Sequence, residues 1–280
     1  MSQSVNAAAF SELTALQKSE RMPVLFVGHG SPMNAIEDNE YRRKWQELGA
    51  QFGANRPRPQ LILCISAHWL TTGWRLTAMP KPRTIHDFGG FPQELFAQQY
   101  NAPGAPGVAK AISERIQQPP IGLDDEWGLD HGAWSVLKPM FPEAEIPVMQ
   151  LGMDYARPPA EHVGVGEQLK ALRELGVLIV GSGNIVHNLR AARWNSRSNE
   201  AYDWAVDFDT KTAEWIEKGD VAGLADFQKL GSLAQLAHPT HDHYLPLLHA
   251  AGATDPGEPV HFFNESYQLG SISMRSVIWG

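Results

Sequence analysis

Three histidines stand where apolar segments end, a pattern that could bring three imidazoles together. His29 follows PVLFVG, His68 follows LILCIS, and His187 comes shortly after VLIVGS. Ligands of open α/β sheets bind beyond the carboxyl ends of the strands, so we expect these side chains at one edge of a sheet. Neutral imidazole is the commonest side-chain ligand of protein-bound metals. One such histidine would more often be an ordinary loop residue, but the set of three predicts a metal site.

A further group of histidines lies in AHPTHDHYLPLLHAAGA, which contains His238, His241, His243 and His249. His241 and His243 are two residues apart, and this spacing does not place both on one face of a helix. We expect one histidine of this group to complete the metal site. The residues alone do not choose between His241 and His243, whereas His249 is expected to be a packing residue.

Two other motifs could add polar groups and aromatic walls to a pocket. DHGAW presents Asp130 and His131, and TIHDFGGFP presents His86 and Asp87. The alternative for both motifs is turn chemistry, in which the acidic side chain caps a turn and the neighbouring aromatic residue packs below it. Aromatic residues near the motifs that could frame a flat substrate ring are Trp69, Trp127 and Tyr244.

Strands and helices that would position these side chains follow from the apolar pattern. Four runs nearly continuous in Val, Ile and Leu predict strands covered on both faces, at residues 23–28, 61–66, 146–151 and 177–182. Helices are predicted at residues 39–52, 105–116, 159–175 and 201–218. This alternation predicts an α/β fold, a single-domain sandwich with a central mixed, mostly parallel sheet flanked by helices. Near the C-terminus, VHFFN and SISMRSVIW predict two more strands.

Length and composition restrict the class of protein. A chain of 280 residues can bury a large core without a structural metal, so a histidine cluster is not needed for stability. A net charge of −8 without a basic stripe argues against nucleic-acid partners, and no apolar run is long enough for a membrane span. The single Cys64 excludes an internal disulfide, and the N-terminus does not resemble a signal peptide, so a cytoplasmic location is expected. We expect residues 1–21 to be an N-terminal extension and residues 22–280 the catalytic domain.

Six motifs in fixed order resemble those of the LigB-like class III extradiol ring-cleavage dioxygenases: FVGHGSPMNAIEDN, ISAHWLTTG, TIHDFGGFPQELF, WGLDHGAWSVLKPMFP, GSGNIVHNL and PTHDHYLPLL. Within that family they most resemble the 4,5-DOPA extradiol dioxygenase branch. The resemblance runs from about Met22 to the C-terminus. It implies insertion of both atoms of O2 into a catechol-type ring at a mononuclear non-haem metal, giving a semialdehyde. It also implies Fe(II) for activity, with Zn(II) able to occupy the same site.

Residue roles follow from the same resemblance. His29 and His68 match the first two metal histidines, and His243 matches the third ligand. His187 matches a histidine that approaches the metal and acts as acid or base, so it is expected among both the metal-site and the catalytic residues. His131 resembles a pocket histidine that contacts substrate and assists catalysis, while His241 matches the family less well.

Substrate contacts are expected from Trp69 and Tyr244 as well, because both lie next to site motifs in the sequence. The predicted metal ligands are all histidines, which leaves no anionic protein ligand and makes zinc occupancy more plausible. An alternative function is a zinc hydrolase on an α/β sandwich, with Asp130, Asp242 or Glu265 as its base. A non-catalytic metal-binding protein is the other alternative.

Overall fold

The computed structural model describes residues 16–194 and 200–280, and these residues form twelve strands and nine α-helices. The strands are β1 (Val24–Gly28), β2 (Leu61–Thr71), β3 (Trp74–Thr77), β4 (Arg83–Thr84), β5 (Ile121–Asp124), β6 (Gly128–Leu129), β7 (Val148–Asp154), β8 (Val177–Gly183), β9 (Val260–Phe263), β10 (Tyr267–Gln268), β11 (Ile272–Ser273) and β12 (Ser276–Trp279). The helices are α1 (Glu40–Gln51), α2 (Gln93–Phe96), α3 (Pro106–Arg115), α4 (His131–Met140), α5 (Pro159–Leu169), α6 (Asp203–Lys218), α7 (Val221–Ala225), α8 (Ser232–Ala237) and α9 (Leu245–Gly252). None of these helices is long and apolar enough to cross a membrane.

Eight strands form one mixed sheet in the order β5-β3-β7-β2-β8-β1-β12-β9. The four central strands β7, β2, β8 and β1 are parallel to one another, and the sheet becomes antiparallel at β3 on one side and at β12 on the other. Helices flank this sheet, which confirms the predicted α/β sandwich. Because the central strands are parallel, their carboxyl ends meet at one edge.

The central strands are continuous apolar runs because both faces of the sheet are covered. In β1, Val24 and Phe26 belong to one core cluster, whereas Leu25 and Val27 belong to the other. Helices α5 and α9 contribute to the first cluster, and α1 and α4 contribute to the second. Strict alternation of apolar and polar residues would leave one face of such a strand without packing partners.

Two segments differ from the prediction in ways that affect the site. Strand β2 continues past Ser66 to Thr71, with a register shift against β7 between Ile65 and Leu70. His68 therefore lies in an irregular part of the strand and not beyond its end, and such irregularities redirect side chains. The segment SISMRSVIW is not one strand, because β11 pairs with β10 and only β12 joins the main sheet.

The described residues before Met22 pack against the domain. Residues 1–15 of the predicted extension lie outside the described part of the chain. Of the remainder, Leu16 joins the first core cluster and Arg21 forms an ion pair with Asp255, with 2.7 Å between Nη2 and Oδ2. The boundary at Met22 stays a prediction, and the residues just before it pack along the domain.

Candidate metal centre

Three of the predicted histidines meet at the carboxyl edge of the parallel strands. His29 follows β1, His68 lies in the irregular part of β2, and His243 lies in the turn before α9. Each offers one ring nitrogen to a group in which all three nitrogens lie within 4.8 Å of one another. The fold thus selects His243 and not His241 as the third member of this group.

The protonation state of His29 is fixed by its hydrogen-bond partner. Nδ1 of His29 lies 3.0 Å from Oγ of Ser182, and the same hydroxyl donates its hydrogen to the carbonyl oxygen of Gly132 at 2.6 Å. A serine hydroxyl has only one hydrogen, so it accepts the hydrogen bond from Nδ1–H of His29. The Nε2 atom of His29 then carries a lone pair that is available to a metal.

Carboxylates face Nδ1 of the other two imidazoles. Nδ1 of His243 lies 2.5 Å from Oδ2 of Asp242, and Nδ1 of His68 lies 3.4 Å from Oδ2 of Asp87. Asp242 accepts the hydrogen bond from Nδ1–H of His243, which leaves the lone pair on Nε2 of that ring, whereas Asp87 faces Nδ1 of His68 at a longer distance. A metal-binding histidine typically has such an acceptor behind it, because the acceptor fixes both the tautomer and the orientation of the ring.

The distance between two of the donor nitrogens fits a metal ion. Nε2 of His29 and Nε2 of His68 lie 3.3 Å apart, and the hydrogen bond to Ser182 leaves Nε2 of His29 unprotonated. Metal–imidazole bonds of about 2.1 Å place two ligand nitrogens about 3.0–3.4 Å apart in octahedral or tetrahedral geometry. The donor set therefore fits a single small divalent cation such as Fe(II) or Zn(II).

Electrostatics at the site favour neutral imidazoles and ionised carboxylates. Burial, and then the neighbouring imidazoles, lower the pKa of His29 and His68 well below the ordinary value. Burial alone would raise the pKa of Asp87 and of Asp242, but the contacts with His131 and His243 outweigh it and lower both pKa values. Two negative charges consequently lie directly beside the imidazoles of this group.

His187 lies beside the donor group formed by His29, His68 and His243 but is not a member of it. Its ring stacks on that of His243, with 3.5 Å between centroids and 7° between planes. Its backbone N–H donates to the carbonyl oxygen of Ala237 at 3.0 Å, which fixes the segment after β8. Burial, and then His243, lower the pKa of His187 well below the ordinary value. Its predicted role as a fourth metal ligand stays a prediction.

His131 is the first residue of α4, and its ring lies 3.8 Å from that of His68 between centroids. Its backbone N–H donates to Oδ1 of Asp87 at 2.9 Å, and its Nδ1 lies 2.9 Å from Oδ2 of the same residue. Sequence reasoning named Asp87 only as a neighbour of His86, because nothing in the motif indicates that it reaches two imidazoles.

Asp130 is a structural residue of the site. It caps α4 by accepting from the backbone of Ala133, and it also accepts from Oγ of Ser66 at 2.6 Å and Nε2 of Gln150 at 2.7 Å. It has no exposed surface, and burial, followed by the charge of Asp87, raises its pKa. These contacts occupy both carboxylate oxygens and hold the start of α4 in place.

The carboxylates proposed as bases of a zinc hydrolase are therefore all engaged. Asp130 is occupied as described, Asp242 lies against Nδ1 of His243, and Glu265 pairs with Arg275. Each of the three thus has a hydrogen-bonding or charged partner other than a metal-bound water.

The aromatic residues expected at the substrate have different environments. Trp69 is almost fully buried and stacks on Trp127, with 5.7 Å between centroids and 3° between planes. Tyr244 has no exposed surface, and its ring packs against Phe227 and His238 in the core below α9. The turn that directs His243 toward the sheet edge thus directs the side chain of Tyr244 into the core, and its contact with substrate stays a prediction.

Neither His86 nor His241 joins the donor group. Nε2 of His86 donates to the carbonyl oxygen of Gln98 at 2.9 Å, which makes His86 a support of its own loop. His241 stacks on Tyr155, with 4.3 Å between centroids and 3.3 Å between Nδ1 and the phenol oxygen. Sequence reasoning missed Ser182, although its place in GSGN at the end of β8 is a usable signal.

Comparison with known proteins agrees with the motifs. The family described as the catalytic LigB subunit of aromatic ring-opening dioxygenase matches residues 23–276. The chain is 46% identical to 4,5-DOPA dioxygenase extradiol of Escherichia coli (strain K12), covering 94% of this chain and 96% of the relative, and 33% identical to the protein of that name from Beta vulgaris, covering 90% and 94%. A crystal structure of an uncharacterized protein from Escherichia coli K12 superimposes with a TM-score of 0.79 at 41% identity, covering 93% of this chain and all of that one. The chain therefore belongs to the LigB family and is an extradiol aromatic ring-opening dioxygenase, as its motifs predicted.

Proposed function

We propose that the chain binds one divalent metal ion through His29, His68 and His243 and uses O2 to open a catechol ring beside its hydroxyl groups. The observation that carries this proposal is the convergence of Nε2 of His29 and Nε2 of His68, which face each other at 3.3 Å, a separation that one metal ion bound by both would give. His243 supplies a third donor within reach of the same ion.

Extradiol dioxygenases of this family depend on a metal, and we propose Fe(II) for turnover with Zn(II) able to occupy the site. When bound, the metal acidifies a catechol hydroxyl and, as Fe(II), passes electrons between the ring and O2. The charges of Asp87 and Asp242 offset that of the ion, and an ionised catechol adds the anionic ligand that the imidazoles do not provide.

We assign His187 the role of acid and base. Its ring lies flat against His243 but outside the donor group, so it borders the metal position without being committed to it. There it would take the proton of the second catechol hydroxyl and return it as the ring opens. A positioned general acid or base typically contributes about 10²–10⁴-fold to the rate.

We assign His131 to substrate contact and to a second proton-donating role. Its ring adjoins His68, and 20% of the His68 side chain is exposed, so a ligand can approach from this side. Trp69 remains our candidate for an aromatic wall, held flat by its stack on Trp127.

For the substrate we propose a small catechol of the 4,5-DOPA type, cleaved to a semialdehyde. The substrate class is taken from three related proteins, from Escherichia coli, Beta vulgaris and Mirabilis jalapa, which share the name 4,5-DOPA dioxygenase extradiol. O2 is the second reactant. The absence of nucleic-acid and membrane partners and a cytoplasmic location remain predictions from composition.

Anaerobic reconstitution of metal-free protein with Fe(II) or with Zn(II) tests the proposal. Each form is then supplied with O2 and with DOPA, caffeate or protocatechuate in an oxygen electrode, with absorbance scans in parallel. We expect one equivalent of O2 consumed per catechol and a yellow semialdehyde with Fe(II) only. No uptake with any catechol, in protein shown to hold Fe(II), would refute the proposal and make hydrolytic activity of the zinc form the next assay.

A further inference from the structure

We infer that Asp87 is the positioning residue of this centre, a single carboxylate that orients both the metal histidine His68 and the pocket histidine His131. The inference rests on the proposed function, because it uses the roles assigned there to these two histidines. Asp87 itself is expected to touch neither the metal nor the substrate.

The contacts of Asp87 divide between its two oxygens. Oδ1 accepts the backbone N–H of His131 at 2.9 Å, while Oδ2 lies 2.9 Å from Nδ1 of His131 and 3.4 Å from Nδ1 of His68. Nδ1 of both rings therefore lies against the same carboxylate oxygen, while the other oxygen holds the backbone of His131. Nε2 of His68 in turn lies 3.3 Å from Nε2 of His29, at the metal position.

The loop that carries Asp87 is fixed on both sides of it. Before Asp87, the backbone of Ile85 is hydrogen-bonded to Leu129 at 2.7 Å, and the indole N–H of Trp134 donates to the carbonyl oxygen of Ile85 at 2.9 Å. After it, the ring of Phe88 packs edge-on against that of His131, 5.5 Å between centroids. These contacts hold the carboxylate in a defined place beside both imidazoles.

A carboxylate is required because acceptors are needed at both oxygens. In an asparagine at position 87, the amide NH₂ would face either the backbone N–H of His131 or the Nδ1–H groups of both rings. The second arrangement forces the imidazole protons onto Nε2, where His68 needs a lone pair for the metal. Asp87→Asn replaces one acceptor oxygen by a donor and leaves the size of the side chain nearly unchanged. It therefore tests whether both acceptors at position 87 are needed.

His68, Asp87 and His131 also form a compact set of potential metal donors. If they bound an ion of their own, the protein would take up two metals per chain and Asp87 would be a ligand. Positioning by Asp87 requires one metal per chain, so titration of metal-free protein with Zn(II) separates these two roles.

The test compares Asp87→Asn with the parent protein and with Glu94→Gln, which removes an exposed charge from α2 a few residues along the same segment. Three measurements are made: Zn(II) affinity by competition with a chelator, the tautomers of His68 and His131 by ¹⁵N NMR of the zinc form, and kcat and KM of the Fe(II) form. We expect Asp87→Asn to weaken Zn(II) binding about 10–100-fold. It should also shift the His131 proton from Nδ1 to Nε2 and lower kcat more than it raises KM, whereas Glu94→Gln should match the parent protein.

Asp87→Glu provides the conservative comparison, because it keeps both acceptors, and it should retain the Nδ1–H tautomers even if its affinity falls. Asp87→Asn with parental Zn(II) affinity and parental tautomers would overturn the inference, as would uptake of two Zn(II) ions per chain. If the parent protein fails to consume O2 while Asp87→Asn still changes affinity and tautomers, the proposed function fails and the positioning role stands.

Discussion

At the scale of single residues, the centre is defined by the groups behind the imidazoles. Ser182, Asp87 and Asp242 each face Nδ1 of a different histidine, so that Nε2 is left for a metal. This arrangement explains how a centre without an anionic protein ligand can hold a doubly charged ion, because two of the three partners are carboxylates. Loss of such a partner typically costs 10–100-fold in metal affinity or activity.

His187 and His29 should respond differently to substitution. We expect His187→Ala to lower turnover by about 10²–10⁴-fold while the protein keeps close to one metal per chain, because His187 lies outside the donor group. His29→Ala removes one of the three donors and should lose the metal itself. Metal analysis after gel filtration, combined with O2 uptake, distinguishes these outcomes. Equal and complete metal loss in both variants would make His187 an ordinary ligand.

The sequence predicted the histidines of the centre better than their partners. His29, His68 and His243 stand in recognisable motifs, since imidazoles at strand ends or in a histidine-rich turn are visible in a single chain. Asp87 and Ser182 reach their histidines across 19 and 153 residues respectively. Contacts over such separations depend on the tertiary fold and leave no local pattern.

At the scale of elements, the start of α4 must pass very close to β2. A Cβ atom added to Gly132 would lie 2.4 Å from Oγ of Ser66 and 2.9 Å from Cδ2 of His68. We expect Gly132→Ala to displace the ring of His68 and to weaken metal binding about 10-fold or more. Chelator competition measures this loss.

Gly107→Ala is the matched control, because Gly107 also occupies the first turn of a helix and an added Cβ would meet nothing within 4 Å. This variant should keep its metal affinity and gain about 0.5–1 kcal/mol in free energy of unfolding. If Gly132→Ala behaved in the same way, the close approach of α4 to His68 would not matter for the centre.

Helices α5 and α9 meet at a buried pair of histidines outside the candidate centre. Nδ1 of His162 lies 3.1 Å from Nε2 of His249, and neither side chain is exposed. Burial lowers the pKa of His162 to about 4, and that of His249 well below the ordinary value. Above about pH 6.5 both residues are neutral in the folded and the unfolded chain, so they do not make stability depend on pH.

Below about pH 6.5 the unfolded chain binds protons that the folded chain excludes, so the free energy of unfolding should fall as pH falls toward 4. The expected slope is about 1.4 kcal/mol per pH unit for each imidazole. Urea unfolding of metal-free protein across this range should show a shallower slope in the double variant His162→Leu/His249→Leu. Imidazoles of the metal centre contribute equally to both proteins, so identical slopes would contradict the role of this pair.

Strands were predicted correctly where both faces of the sheet are buried along the whole strand. The prediction was incomplete where the pairing of two strands is irregular. The four central strands were predictable because burial on both faces requires continuous apolar runs. The extension of β2 through His68 was not, because it depends on a register shift against β7. Asp87 lies between β4 and α2, in a segment without a periodic pattern, so the sequence did not indicate that Asp87 reaches the centre.

At the scale of the whole molecule, metal binding should contribute to stability. The centre joins the ends of separate strands and the turn before α9, which come together only in the folded chain. At a free metal concentration of about 100 times the dissociation constant, binding adds about 2.7 kcal/mol to the free energy of unfolding. For a chain of this size, we expect removal of the metal to lower Tm by roughly 5 °C.

Differential scanning fluorimetry before and after chelation, followed by addition of Zn(II), measures this effect. His29→Ala is the control and should show little response to chelator or Zn(II), because it lacks a donor. A parent protein whose Tm is unaffected by chelation, although metal analysis shows the ion removed, would mean that the centre does not couple to folding.

Labelling with ¹⁸O₂ tests most directly the central claim that O2 reacts with a catechol at the centre formed by His29, His68 and His243. Protein reconstituted with Fe(II) is mixed with DOPA under ¹⁸O₂, and the product is quenched at once and examined by mass spectrometry. The account predicts a ring-opened semialdehyde that carries both labelled atoms, and no such product from His29→Ala. A product without label, or ring opening that persists in His29→Ala, would contradict it.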